Sequence, residues 1–213
     1  MNIGVYGGTF NPIHFGHLRA AEEIYYRFRL NKVIFVPASQ PPHKSSEEII
    51  DPNHRLKMTT LAITGNEHFS VSDIEVNRPG KSYSIDTIRE LKKQNPEKNF
   101  YFILGLDAFL EINTWHKWKE LFSETDFVVT SRPGSPKVAK GKIIPQEIRK
   151  EFKFNAKEDI FLHRSGSRVC LAEVTPLDIA ASAIRKMVRE GQSIRYLLPR
   201  RAIEYIIENK LYR

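Results

Sequence analysis

Short apolar runs rich in Val, Ile and Phe alternate along this chain with longer stretches whose apolar residues recur every three or four positions. The first pattern is that of a buried strand, the second that of an amphipathic helix. Strands are expected over residues 3–6, 32–37, 69–74, 100–104, 126–130 and 168–174. Helices are expected over 16–28, 52–61, 84–94 and 176–189, and a last one opens at Pro199. Pro52 suits a first helical turn, Ser84 is a candidate N-cap, and Gly191 a C-terminal cap. The closing helix offers Ile203, Ile206, Ile207 and Leu211 as its apolar face. Residues 135–167 are charged and poorly periodic, and read as a surface excursion with no assigned elements. Strands and helices in alternation predict an α/β fold: a single domain over 1–213 built on a doubly wound, mostly parallel sheet with helices on both faces. Such sheets bind ligands beyond the carboxyl ends of their strands.

The most informative segment lies at such an end. The first strand runs into Gly7-Gly8-Thr9-Phe10-Asn11-Pro12-Ile13-His14-Phe15-Gly16-His17. Two glycines let the backbone turn sharply and approach a ligand, and the helix opening at Gly16 and His17 turns N–H groups toward phosphate. His14 and His17, three apart at a loop-to-helix junction, can both point into the crevice and donate to phosphate oxygens. The plain alternative is a pair of solvent-facing histidines in a loop. Zinc on His14, His17 and His43 is a third reading, but no HExxH and no nearby carboxylate supports it. A dinucleotide fold would need GxGxxG and an acid after the second strand, where Val36-Pro37-Ala38 stands instead, and no Walker A loop occurs.

The chain has 213 residues, 41% of them apolar, enough for a core. No apolar run approaches the ~20 residues of a membrane span, and the start of the chain reads as a buried strand rather than a signal peptide. A cytoplasmic protein is expected, with no membrane partner. The single cysteine, Cys170, sits in an apolar run and reads as a small core residue. Lys and Arg total 33 against 25 Asp and Glu, a net charge of +8 that suits an anionic partner. The basic residues are spread along the chain, and Trp115 and Trp118 share one loop. No basic stripe interleaved with aromatics is present, so phosphorylated metabolites are expected as partners rather than nucleic acid. A homo-oligomer is allowed.

The first motif resembles the signature of the nucleotidyltransferase superfamily, whose HxGH core is matched by His14-Phe15-Gly16-His17. Likeness to bacterial-type nicotinate-mononucleotide adenylyltransferases extends along most of the chain. Pro41-Pro42-His43-Lys44 resembles that family's PPHK loop, and Ser82-Tyr83-Ser84-Ile85-Asp86-Thr87 its SYTxDT segment. Gly105-Leu106-Asp107 resembles GxD, Trp115-His116-Lys117-Trp118 resembles WxxW, and Arg132-Pro133-Gly134 resembles RPG. The end, from Tyr196 through Tyr212, resembles the family's closing helix. The second signature, ISSTxIR, departs: Ile179, Ser182 and Arg185 are in register, but Ala180 and Ala181 replace both serines.

The resemblance implies transfer of the adenylyl group of ATP to nicotinate mononucleotide. It implies catalytic roles for His14, His17, Lys44 and Arg185. It places ATP against Gly7, Gly8, Thr9, Phe10, Gly105, Asp107, Ile179 and Ser182, although Asp107 reads equally well as a helix cap. It places nicotinate mononucleotide against Thr87, Trp115 and Arg132, with the nicotinate carboxylate read largely by backbone N–H groups. Trp115 without the resemblance reads as a packing aromatic. Magnesium is expected to arrive with ATP, with no protein ligand of its own. The alternatives are another adenylyltransferase of the superfamily, acting on nicotinamide mononucleotide or phosphopantetheine, a nicotinamide-dependent oxidoreductase, and a nucleic-acid binder.

Overall fold

In the computed structural model, residues 1–42, 49–131 and 143–213 are described. The strands are β1 (Asn2–Gly8), β2 (Lys32–Pro37), β3 (Phe69–Val71), β4 (Asn99–Gly105), β5 (Asp126–Ser131), β6 (Phe152–Asn155), β7 (Ile160–His163) and β8 (Arg168–Glu173). The helices are α1 (Phe15–Arg27), α2 (Pro52–Ala62), α3 (Ser84–Gln94), α4 (Leu106–Leu110), α5 (Trp118–Glu124), α6 (Ala181–Arg189) and α7 (Arg200–Glu208).

Successive side chains of a strand point to opposite faces, and here each face has its own core. Ile3 and Val5 of β1, Phe100, Phe102 and Leu104 of β4, and Phe127 and Val129 of β5 pack with Ile85 and Ile88 of α3 and Leu121 and Phe122 of α5. Tyr6, Val33, Phe35, Ile103 and Val128 face the other way, onto Ala21 and Ile24 of α1, Met58 of α2, Ile184 of α6 and Ile206 of α7. Burial on both faces explains why these strands are apolar runs rather than alternating ones.

Among the described residues the strands form one sheet in the order β3-β2-β1-β4-β5-β8-β7-β6. The pairs from β3 to β8 are parallel, while β7 and β6 are antiparallel. The chain winds outward from β1 to β3, then returns to lay β4 against the other side of β1. The direction of winding reverses between β1 and β4, and a crevice opens there at the strands' carboxyl ends. Gly8 and Gly105 both stand at that rim.

The doubly wound, mostly parallel sheet agrees with the sequence, but several local expectations need correction. The excursion is not without elements: β6 and β7 form a hairpin that extends the sheet. β3 stops at Val71, before the expected Ile74. Ser84 is the first residue of α3, and Tyr83 is its N-cap. α6 begins at Ala181, not near Pro176, so Ile179 and Ala180 lie ahead of its first turn. Asp107 is inside the first turn of α4, whose N-cap is Gly105. Ile207 is 56% exposed, and Ala202 and Ile206 are the buried residues of α7. Gly191 does follow the end of α6 with φ 68°, and its N–H donates to the Val188 carbonyl.

Candidate active site

A cleft of about 580 Å³ fills the crevice at the switch point. Its phosphate-suited end is built from the β1–α1 loop. Phe10 adopts φ 47° and is 2% exposed. Its ring lies beneath Gly8, where a β-carbon would come within 2.8 Å of it. The same ring meets Tyr6 and His17 edge-on, at centroid distances of 5.8 and 5.2 Å. Phe10 therefore braces His17 from below, and Gly8 leaves room for that brace.

His14 and His17 come together. His14 is 1% exposed, at the N-cap of α1. The two rings lie 3.8 Å apart between centroids, and only His17 lines the cleft. His17 Nδ1 accepts the backbone N–H of His14 at 3.3 Å. A neutral imidazole that accepts at Nδ1 carries its proton on Nε2. The helix start thus selects the tautomer of a ring that faces the cleft. Gly16 lets His14 sit there, because a β-carbon at residue 16 would be 3.0 Å from His14 Nδ1.

α6 approaches from the far end of the chain. The Ile179 carbonyl lies 3.8 Å from the position of a Gly16 β-carbon, so the starts of α1 and α6 are neighbours. Ala180 offers α6 no side-chain cap, and its first N–H groups can serve an anion instead. Ser182 is exposed in that first turn. Arg185 donates from Nη1 to the Asn11 carbonyl at 3.0 Å, tying α6 to the β1–α1 loop. Tyr212 donates its hydroxyl to Asn11 Oδ1 at 3.0 Å, and burial pushes that phenol well above its ordinary pKa.

Of the residues singled out in the sequence, Gly7, Gly8, Thr9, Phe10, His17, Gly105, Asp107, Thr87 and Trp115 line the cleft. His14, Ile179, Ser182 and Arg185 stand beside or behind it. Lys44, His43 and Arg132 lie outside the described residues. At the other end of the cleft, Trp115 meets Phe102 edge-on at 6.2 Å, and Tyr83 stacks on His116 at 4.2 Å. Among the described residues no group of three or more His, Cys, Asp or Glu could hold a metal ion.

Two charged residues that the sequence did not single out anchor these walls. Arg55 of α2 is fully buried, and donates to the carbonyls of Thr9 (2.8 Å), Ser39 (2.9 Å) and Ile50 (3.0 Å) as well as Ala38. One guanidinium thereby fixes both the β1–α1 loop and the segment after β2, and sets a positive charge beneath them. Burial lowers its pKa, against the pull of Tyr212, Asp51 and Glu75. Glu75 is 7% exposed and lines the cleft. Burial pushes its carboxyl above the usual carboxylate range, opposed by hydroxyls of Thr87 and Ser82 and by the charges of Arg78 and Arg55.

A glycine turn after a central strand, a histidine held at Nδ1 by its own helix start, and a second helix start beside it suit the phosphates of a nucleotide. The chain belongs to the cytidylyltransferase-like family, whose model matches residues 5–187. Within that class it falls with the nicotinate-nucleotide adenylyltransferases. It is 46% identical to a probable nicotinate-nucleotide adenylyltransferase of Geobacter metallireducens over 212 residues, 100% of this chain and 98% of that protein. A second such protein, of Geobacter sulfurreducens, is 43% identical over the same shares. Among solved structures, nicotinic acid mononucleotide adenylyltransferase of Plasmodium falciparum complexed with NaAD shares the fold. Its TM-score is 0.75 at 23% identity, with 99% of this chain and 97% of that one covered. No helix among the described residues is long and apolar enough to cross a membrane.

Proposed function

We propose that this protein transfers the adenylyl group of ATP to the 5′-phosphate of nicotinate mononucleotide, giving nicotinate adenine dinucleotide and pyrophosphate in the biosynthesis of NAD. The observation that carries the reading is His17: braced by Phe10, held at Nδ1 by its own helix start, and lining a cleft at the switch point. The names of the full-length relatives supply the acceptor.

A phosphate oxygen of the acceptor attacks the α-phosphorus of ATP, and the bond from that phosphorus to the β-phosphate's bridging oxygen breaks. The electron pair leaves with pyrophosphate. The acceptor monoester is mostly dianionic at neutral pH, since its second pKa is ~6, so no general base is required. The protein's work is to bring two anions into line and to stabilise the charge that develops between them. His17 donates from Nε2 to the α-phosphate, with His14 holding its neighbour ring. The N–H groups that open α1 and α6, together with Lys44 and Arg185, receive the polyphosphate. Thr87, Trp115 and Arg132 form the pyridine side, with Trp115 offering its face to the cationic ring. Magnesium would arrive with ATP, held by phosphates and water, and would supply positive charge beside the leaving pyrophosphate.

The test is pyrophosphate release from magnesium and ATP with nicotinate mononucleotide, nicotinamide mononucleotide or phosphopantetheine. Fast release with the nicotinate form alone is expected; release with a different acceptor would overturn the substrate. His17→Ala should lower kcat by on the order of a hundredfold or more while ATP binding changes little. Near-normal turnover in that variant would remove His17 from the chemistry.

A further inference from the structure

Resting on that reading, we propose that Glu75 is a positioning residue of the acceptor half of the cleft, a buried carboxylate that takes the Thr87 hydroxyl and so fixes the first turn of α3 along the cleft wall. Thr87 is 1% exposed, and its Oγ1 lies 2.6 Å from Glu75 Oε1 and 3.3 Å from the Tyr83 carbonyl. One proton serves two acceptors, and the shorter contact to a carboxylate takes it. The same oxygen accepts from Arg78 Nη2 at 2.8 Å. Arg78 is held in turn by Glu90 at 3.2 Å.

The neighbouring wall is tied through Ser82, whose Oγ accepts the backbone N–H groups of Ser39 at 2.8 Å and Gln40 at 3.2 Å. Ser82 thus holds the segment after β2, which leads to Pro41 and Pro42 at the rim, to the approach to α3, and Glu75 holds the first turn of α3 through Thr87. The cost of burying the carboxylate is set against the Thr87 hydroxyl and the Arg78 charge. The consequence for recognition is specific. The Thr87 hydroxyl proton is committed inward, away from any ligand, so residue 87 shapes the acceptor pocket through where it stands.

The experiment compares steady-state kinetics of Glu75→Gln, Thr87→Val, their double variant and wild type, varying ATP and nicotinate mononucleotide separately. A Gln amide keeps an acceptor oxygen but loses the charge that strengthens the short contact with Thr87, so the link weakens. KM for nicotinate mononucleotide should rise about tenfold in each single variant, with KM for ATP within about twofold of wild type. Melting temperatures should stay within a few degrees. The double variant should be no worse than either single one, because both cut the same link. Thr87→Ser, which keeps the hydroxyl, should raise the acceptor KM less than Thr87→Val.

Three results would overturn the assignment: an unchanged acceptor KM in Glu75→Gln, an equal rise for both substrates with a collapse in melting temperature, or additive effects in the double variant. Additivity would mean that Thr87 touches the acceptor itself. Should Glu75→Gln not fold, Thr87→Val beside Thr87→Ser tests the same link, since only serine keeps the hydroxyl that Glu75 takes: a larger rise in acceptor KM for valine than for serine supports it, and equal values refute it. Wild-type enzyme inactive with nicotinate mononucleotide would instead refute the substrate reading.

Discussion

A methyl group at residue 16 would sit 3.0 Å from Nδ1 and 3.1 Å from Cε1 of His14. Ring and methyl cannot both keep those places, and the ring is the part that can tilt. Gly16→Ala should therefore displace His14, and with it the tilted ring of His17 whose centroid lies 3.8 Å away. Alanine is the better helix former, so the fold should hold. We expect kcat to fall on the order of tenfold to a hundredfold, with the circular dichroism spectrum unchanged. An unaltered kcat would show that His14 does not set the position of its neighbour. At this scale the sequence was legible where chemistry and spacing coincide in one stretch, as in the eleven-residue segment from Gly7 to His17. Arg55 and Glu75 were not legible. The partners of Arg55 are carbonyls as far as 46 residues away, and a lone charge within a helix reads as solvated. Backbone acceptors leave no trace in side-chain sequence.

Elements buried on both faces announced themselves as apolar runs, which is why β1, β2, β4 and β5 were found near their ends. The β6–β7 hairpin was hidden for a physical reason. Lys153 and Phe154 of β6 are exposed, so the strand lacks an apolar run. Its turn uses Asn155, whose Oδ1 accepts the N–H groups of Lys157 and Glu158, and Asp159 at φ 56°, rather than an Asn-Gly or Asp-Gly pair. The hairpin also carries a titratable anchor. His163 is 5% exposed, stacks on Phe122 at 4.8 Å and contacts Glu151 at 3.3 Å. Burial lowers its pKa from the ordinary 6.5, with Glu151 opposing the shift. The unfolded chain then takes up a proton that the folded hairpin resists. The stability from neutral His163 is complete above the ordinary value and is lost as pH falls through it toward the lower folded value. Between about pH 7.5 and about pH 5.5 wild type should lose more melting temperature than His163→Gln. Parallel curves would clear His163 of that role.

At the scale of the whole molecule, the reversal of winding between β1 and β4 decides where a ligand can lie, and the doubly wound class was readable from the alternation of patterns. The closure of the site was not, because it depends on chain segments far apart in sequence. The Asn11 carbonyl is held by Arg185, 174 residues on, and its side chain by Tyr212, 201 residues on. Contacts of such separation form only after long loops have been closed, and they form late and slowly. Regular structure has no such requirement, since each helix forms from neighbours. Diluted out of denaturant, the chain should recover its far-ultraviolet ellipticity before it recovers pyrophosphate release, and stopped-flow dichroism beside timed activity sampling would resolve the gap. Simultaneous return would mean that the β1–α1 loop takes its shape without its two distant anchors; a lag would make competence the last property a newly made molecule acquires.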